Sequence, residues 1–99
     1  MTTPTTAEYL DRILKDSLEQ GDRRMRYDSD IAEVLDISKT TISSYRTGTH
    51  HMSVLVAVKI AEVLRIHPME TIAATMERQA KSPSDKSVWR HYYDKYRRQ

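Results

Sequence analysis

The chain has 99 residues, a formal net charge of +2 and no cysteine. A chain of this length forms one domain with a single modest core and leaves little room for a deep active-site cleft. The absence of cysteine excludes disulfides and thiolate metal sites, and we expect neither a metal nor another cofactor. No apolar run reaches membrane-spanning length, and no signal-peptide pattern is present. The sequence therefore predicts a cytoplasmic protein without membrane contact.

The first predicted helix runs over residues 6–20, with Thr6 as its N-cap and Gly21 as its stop. Its apolar residues recur at the i, i+3, i+4, i+8 spacing of one helical face. The residues of this stripe are Leu10, Ile13, Leu14 and Leu18. The spacing predicts an amphipathic helix that buries one side against the rest of the domain.

A second helix is predicted from Asp28, its N-cap, to Leu35. Its inner face carries Ile31, Ala32 and Leu35, and the small Ala32 side chain allows another helix to cross closely. Asp36 begins a tight turn directly after the helix. Aspartate tolerates the left-handed backbone conformation better than most residues, so it can replace glycine in such a turn.

The third predicted helix begins after Ser38, its N-cap, continues to Thr47, and ends at Gly48. Ile42 and Tyr45 hold it against the second helix. Burial of these two residues leaves short polar side chains and one lysine on the opposite face. They are Lys39, Thr40, Ser43 and Ser44.

Three more helices are predicted, each beginning at a serine or a proline. The fourth is predicted over residues 53–64, the fifth from Pro68 to Ala80, and the sixth from Pro83, after Ser82 as N-cap. The predicted inward residues of the fourth and fifth helices are Ala57, Ile60, Ala61, Leu64, Ile72, Ala73 and Met76. No segment alternates as a strand does, so the predicted fold is all-α with six helices.

The polar face of the third helix has the chemistry of a DNA-recognition helix. The major groove of B-DNA admits one helix, and side chains near its N-terminus reach the base edges. Hydroxyl side chains let the backbone approach closely, and Lys39 in the first turn can reach guanine O6 and N7. The alternative is that the same residues form a plain solvated helix face.

Three short stretches carry a family resemblance: "IA" at 31–32, "LDIS" at 35–38 and "ISSYRTG" at 42–48. Through them the chain resembles the phage-repressor-like (Cro/repressor, XRE-type) helix-turn-helix family. The tail, with "AKSP" at 80–83 and Trp89, is similar to that of small phage-related regulators. The resemblance implies a five-helix DNA-binding domain over residues 1–80, followed by a C-terminal aromatic-basic helix over residues 81–99.

The resemblance also implies site residues. Base-reading positions fall on Lys39, Thr40 and Ser44, and the exposed position of Ser43 adds it to the set. Asp28 stands where many members carry a phosphate-contacting glutamine, and we expect Arg26 to replace that contact. The predicted phosphate-contacting residues are Arg26, Ser38, Thr41, Arg46, Thr47, His50 and His51. Because adjacent histidines point in different directions, the last two are interpreted as loop residues near phosphate and not as metal ligands.

Residues 81–99 carry six bases and two acids, and an aromatic face follows helical spacing within them. We assign this face to a dimer or a protein partner; it consists of Trp89, Tyr92, Tyr93 and Tyr96. Two alternatives stay open. The face can pack on its own domain, or its aromatic rings can stack on single-stranded nucleic acid.

The sequence therefore predicts a regulator that binds an operator in double-stranded DNA, of phage or prophage repressor type, acting as a homodimer. The alternative is a protein-interaction module that uses the C-terminal helix. Such a module would be an antirepressor-like protein, a host-factor-binding phage protein or an antitoxin. No arrangement of catalytic residues is recognisable, so we expect no enzymatic activity.

Overall fold

The computed structural model describes residues 3–21 and 25–97, and within them six α-helices follow one another without a strand. This confirms the predicted all-α fold class. The helices are α1 Thr6–Glu19, α2 Asp28–Leu35, α3 Lys39–Thr47, α4 Val54–Leu64, α5 Pro68–Gln79 and α6 Pro83–Tyr96.

Polar side chains cap the helix starts, as the sequence predicts for Ser38 and Ser82. The Oγ atoms of Ser38, Ser53 and Ser82 accept hydrogen bonds from backbone N–H groups in the first turns of α3, α4 and α6. Pro68 and Pro83 occupy first-turn positions of α5 and α6, where the missing N–H has no helical partner to lose.

Two predicted caps are wrong by one residue. Thr5, and not Thr6, caps α1, and it forms a reciprocal capping box with Glu8. The Thr6 hydroxyl is buried and accepts a hydrogen bond from the Met52 backbone N–H at 3.1 Å. At α2 the cap position is Tyr27, because the Asp30 carboxylate accepts the backbone N–H of Tyr27 at 3.0 Å.

One apolar core joins all six helices. α4 packs against both α1 and α5, α3 packs against α1 and α2, and α6 covers α5 in the most extensive helix–helix contact of the fold. The larger fully buried side chains include Tyr9, Leu10, Ile13, Ile31, Leu35, Met52 and Ile60. The core therefore packs against the inner sides of α2 and α3 and leaves their outer sides exposed.

The predicted inward faces of α1 and α5 need correction. Leu18 is 80% exposed, because the buried stripe of α1 runs through Tyr9, Leu10, Ile13 and Ser17 and leaves Leu18 at its edge. On α5, Ala73 is fully buried and Ile72 packs against the core as predicted, whereas Met76 is only half-buried. α5 lies between α4 and α6, so polar residues are buried there as well. They are Glu70, Thr71 and Thr75.

Hydrogen bonds compensate for the burial of the two threonine side chains of α5. The Thr71 hydroxyl donates to the Ala57 carbonyl of α4 at 2.7 Å, and the Thr75 hydroxyl donates to the Met52 carbonyl at 3.2 Å. Each bond satisfies a group that would otherwise be buried without a partner. Among the described helices, none is long and apolar enough to cross a membrane.

Candidate nucleic-acid interface

α2 and α3 meet at a tight turn whose backbone is fixed from two sides. Asp36 adopts the left-handed conformation, with φ 54° and ψ 51°, as the sequence predicts. The following residue, Ile37, donates its N–H to the Ala32 carbonyl at 2.9 Å. Lys59 of α4 donates to the Leu35 carbonyl at 2.9 Å and so fills an acceptor at the C-terminal end of α2.

The inner sides of α2 and α3 are buried as predicted. Ile31, Ala32 and Leu35 of α2 and Ile42 and Tyr45 of α3 all belong to the core. Burial raises the pKa of the Tyr45 hydroxyl. These contacts determine which side of α3 faces outward.

The outward side of α3 carries Lys39, Thr40 and Ser43, and all three side chains are exposed. We call these three residues the recognition face. Ser44 is half-buried, and its hydroxyl donates to the Thr40 carbonyl at 3.1 Å, one turn earlier. The Ser44 hydroxyl hydrogen is therefore used within the helix, while its oxygen can still accept a hydrogen bond.

Hydroxyls also surround the two ends of α3. At the start, Ser38 Oγ accepts the Thr41 backbone N–H at 3.0 Å and lies 2.8 Å from Thr41 Oγ1. At the end, the Thr47 hydroxyl donates to the Ser44 carbonyl at 3.2 Å. Local hydrogen bonds therefore hold these side chains at the ends of the recognition helix, where the sequence assigns them to phosphate.

The remaining predicted phosphate residues lie in loops on either side of the two helices. Arg26 is exposed just before α2, and its backbone N–H donates to Asp30 at 3.0 Å. His50 and His51 are exposed in the loop after α3. Their exposure is compatible with a role at a phosphate backbone.

Arg46 differs from the other predicted phosphate residues because its guanidinium is bound inside the domain. Its Nε and a terminal nitrogen donate to the two carboxylate oxygens of Asp28 at 2.9 and 2.7 Å. Its other terminal nitrogen donates to Asp11 at 2.5 Å and to the Ala7 carbonyl at 3.3 Å. Hydrogen bonding to Asp28 is the main cause that raises the pKa of Arg46. One side chain of α3 is thus bound to both α1 and α2.

The ion pair explains the acid at position 28. A carboxylate beside DNA would repel phosphate, but the Asp28 carboxylate is occupied by the bidentate Arg46 guanidinium. The pair was not foreseen from the sequence, because its members are 18 residues apart and belong to different helices. The Arg46 guanidinium, predicted to contact phosphate, is instead held by Asp28 and Asp11 within the domain.

A comparison with protein-family models matches residues 18–70 to a family described as Helix-turn-helix. The matched segment covers more than half of the chain and contains α2, the turn and α3. The chain belongs to the XRE-type helix-turn-helix family. Comparisons with curated proteins and with solved structures found no match.

As a helix-turn-helix protein of this type, the chain is a regulator that binds double-stranded DNA, and it is not an enzyme. α2 and α3 are the two helices of the motif, and α3 is its recognition helix. Lys39 supplies the single positive charge of the recognition face. The charge of Arg46, which also lies on α3, is paired with two carboxylates. Besides Lys39, the recognition face presents only the hydroxyls of Thr40 and Ser43.

The C-terminal aromatic residues lie in a different part of the molecule, on α6. Tyr93 is buried and Trp89 packs against the core, so both are used within their own domain. Tyr96 stacks on His67, with ring centroids 4.3 Å apart. Of the four aromatic residues assigned to a dimer or partner face, only Tyr92 is exposed. The structure thus separates this set into three residues that pack internally and one that faces outward.

Proposed function

We propose that this protein is a sequence-specific repressor of phage or prophage type that binds its operator as a homodimer. One observation carries the proposal. The exposed residues Lys39, Thr40 and Ser43 lie in the first half of a recognition helix whose inner side is fixed by the core and by the Arg46 ion pairs.

The recognition face supports direct base contact. Lys39 is the first residue of α3, at the end that enters the groove in helix-turn-helix complexes. Its ammonium group can donate to guanine O6 and N7, while the Thr40 and Ser43 hydroxyls can donate or accept at either kind of base pair. Because these side chains are short, the helix backbone can approach the base edges closely.

Phosphate contacts supply the rest of the proposed interface. Ser38 and Thr41 flank the start of α3, Thr47 and the His50–His51 loop flank its end, and Arg26 lies before α2. Such contacts fix the position of the protein on the duplex and make the affinity fall with salt. We propose that Arg26 is the main cationic phosphate contact, since the Arg46 guanidinium is bound to Asp28 and Asp11.

Homodimerisation is proposed because a single small recognition face gives limited discrimination. Each good base contact contributes about 1–3 kcal/mol of discrimination, and one protomer offers few such contacts. Two recognition helices, one on each half-site, double the number of bases read. The operator would then be an inverted repeat whose half-sites lie about one helical turn apart.

Selection of duplexes from a random-sequence pool tests this function. The protein should enrich an inverted repeat, and the Lys39→Ala variant should lose that enrichment while its helical circular dichroism stays unchanged. Lys81→Ala is the matched control, since Lys81 is an exposed lysine outside the motif. Enrichment of no sequence by the unmodified protein would overturn the proposal.

The sign of regulation needs a separate test. A reporter promoter that carries the selected operator should be silenced when the protein is expressed and released when Lys39→Ala is expressed in its place. Activation of the reporter would contradict the repressor role but leave DNA recognition standing. The phage or prophage origin rests on the sequence resemblance, and genes for phage integration or structural proteins beside this coding sequence would support it.

A further inference from the structure

α6 has an exposed stripe whose side-chain contacts within the protomer are with other residues of α6: the Tyr92 ring lies beside those of Trp89 and His91, and the Lys95 ammonium lies over the Tyr96 ring. Val88 is 53% exposed and Tyr92 is 39% exposed, although both are large apolar or aromatic side chains. Asp85 and Lys95 are also exposed and lie one step beyond them at either end. The four positions follow one another at intervals of three, four and three residues, so they share one face of the helix. We call these four residues the α6 stripe.

Several other residues of α6 face the domain or are paired within the helix, whereas Ser84, Ser87 and His91 are exposed like the stripe. Tyr93 is buried, Trp89 packs against the core, and Asp94 forms ion pairs with Arg90 and Arg97 at 3.3 and 3.6 Å. Lys86 donates to the Glu77 carbonyl of α5 at 3.1 Å. The α6 stripe therefore lies on an exposed flank of the helix, next to the packed face that carries Trp89 and Tyr96.

The α6 stripe is complementary to itself. Positions 88 and 92 share the midpoint 90, and so do positions 85 and 95. If two copies of α6 pair antiparallel about a two-fold axis at this midpoint, Val88 meets the partner's Tyr92 and Asp85 meets the partner's Lys95. Each contact then occurs twice, as a two-fold interface requires. A parallel pairing in register would instead bring Asp85 beside the partner's Asp85, which like-charge repulsion disfavours.

We infer that the α6 stripe is the surface through which two copies of this chain pair, with their α6 helices antiparallel. The inference deepens the proposed function, on which the homodimer rests, by naming its contact surface. Val88 and Tyr92 form the apolar centre, and the two Asp85–Lys95 pairs close its ends and set the register. Of the aromatic residues assigned from the sequence, Tyr92 belongs to this surface, while Trp89 and Tyr93 pack within the protomer.

The size of the surface predicts how the dimer behaves. α6 has 14 residues and is therefore about 21 Å long. One helix of this length offers less than the ~800 Å² per partner of a standard stable interface. The pairing is accordingly weak in free solution, and an operator with two half-sites strengthens it by holding two protomers close together.

A charge-exchange experiment tests the pairing and its orientation without DNA. Sedimentation velocity is measured for the unmodified protein, for Asp85→Lys, for Lys95→Asp and for an equimolar mixture of the two variants. In each single variant, both end pairs become like-charged, so the dissociation constant should rise by about tenfold. In the mixture, every end pair is again of opposite charge, so the two variants should form a heterodimer with an affinity close to that of the unmodified protein.

The mixture also controls for folding, since a variant that fails to fold cannot be rescued by mixing. Equal self-association of all four samples would overturn the assignment of the α6 stripe. Self-pairing would be overturned altogether if the unmodified protein stays monomeric up to hundreds of micromolar and also occupies its operator as a monomer. The first result leaves the whole proposed function standing. The second refutes the homodimer within it but leaves sequence-specific DNA binding untouched, so the two failures are distinguishable.

Engineered disulfides measure the register directly, because the chain has no cysteine of its own. A mixture of Val88→Cys and Tyr92→Cys should form a crosslinked heterodimer under mild oxidation, whereas each variant alone should crosslink poorly. Efficient crosslinking of Val88→Cys alone would indicate a parallel arrangement and overturn the antiparallel one. Leu55→Cys is the control, as Leu55 is an exposed apolar residue on α4 and should not crosslink with either variant.

Discussion

Arg46 of α3 and Asp28 of α2 form a bidentate ion pair, with donor–acceptor distances of 2.9 and 2.7 Å. The pair joins the C-terminal half of the recognition helix to the first turn of the preceding helix. The Arg46 side chain is only 27% exposed, and Asp11 of α1 binds the same guanidinium. The orientation of α3 is thus fixed by charged contacts on its flank as well as by the apolar core beneath it.

This relationship predicts a positioning role for Arg46 that differs measurably from a phosphate contact. Arg46→Gln should weaken operator binding because α3 loses its fixed orientation, but it should leave the slope of log affinity against log salt unchanged. Arg26→Ala, which removes a proposed phosphate contact, should reduce that slope by about 1. Titrations at several salt concentrations compare the two variants. A slope reduced equally by Arg46→Gln would show that this residue contacts phosphate after all.

The same pair should contribute to stability. Removal of either partner leaves the other charge partly buried, so Asp28→Asn and Arg46→Gln should each lower the free energy of unfolding by about 1–2 kcal/mol. The double variant should cost less than the sum of the two single variants, because residues in contact are energetically coupled. Chemical denaturation of the four proteins measures the coupling, and strict additivity would contradict the interaction.

Asp36, the left-handed residue of the turn, predicts a substitution that raises stability. Asp36 has φ 54°, a conformation that costs most L-residues about 1–2 kcal/mol and aspartate somewhat less. Asp36→Gly removes this strain but makes the unfolded chain more flexible, so the net gain in unfolding free energy should be about 0.5–1 kcal/mol. Asp36→Val should lower stability, because a β-branched residue tolerates this conformation poorly. Thermal unfolding of the two variants checks both expectations, and a destabilised Asp36→Gly would contradict the assignment of strain to Asp36.

Much of the motif could be predicted from sequence because its signals are local. The left-handed Asp36, the Ser38 cap and the inward Ile42 and Tyr45 each depend on a few neighbouring residues. The Arg46–Asp28 pair could not be predicted, since it depends on how α2 and α3 cross in space. The same reason explains Thr6, whose hydroxyl is taken by the distant Met52 N–H and leaves Thr5 to cap α1.

The aromatic tail shows the same division between local and tertiary information. Spacing alone correctly predicts that Trp89, Tyr92 and Tyr96 belong to one helix. It cannot tell which of them faces the domain, because that depends on how α6 rotates onto α5. The structure turns Tyr93 inward and stacks Tyr96 on His67.

A buried carboxyl group in α5 predicts a pH dependence of stability. Burial raises the pKa of Glu70, although Arg12 and a hydrogen bond from Tyr9 at 3.3 Å partly oppose the shift. Because the folded pKa lies above the unfolded one, Glu70 contributes stability that is complete below the unfolded pKa and lost as pH rises through the folded value. Protonation of other acidic groups also changes stability in this pH range. The contribution of Glu70 is therefore best measured as the difference in unfolding free energy between two proteins.

Glu70→Gln removes this titration and keeps a side chain that can accept the Tyr9 hydroxyl. The free energy of unfolding of Glu70→Gln relative to the unmodified protein should therefore increase as pH rises from about 4 to 7. Denaturant titrations at several pH values measure the difference. Glu62→Gln is the control, because Glu62 is exposed on α4. A difference that is constant over this pH range would show that Glu70 does not titrate there.

The central claim is that Lys39 and its neighbours on α3 read a DNA sequence, and a binding titration tests it most directly. The unmodified protein, Lys39→Ala and Lys81→Ala are titrated on the selected operator and on a scrambled duplex of equal composition, at two salt concentrations. We predict that the unmodified protein and Lys81→Ala prefer the operator at both salt concentrations, and that Lys39→Ala loses about tenfold or more of that preference. Equal, salt-sensitive binding of all three proteins to both duplexes would contradict the account, because the contact would then be electrostatic and independent of α3.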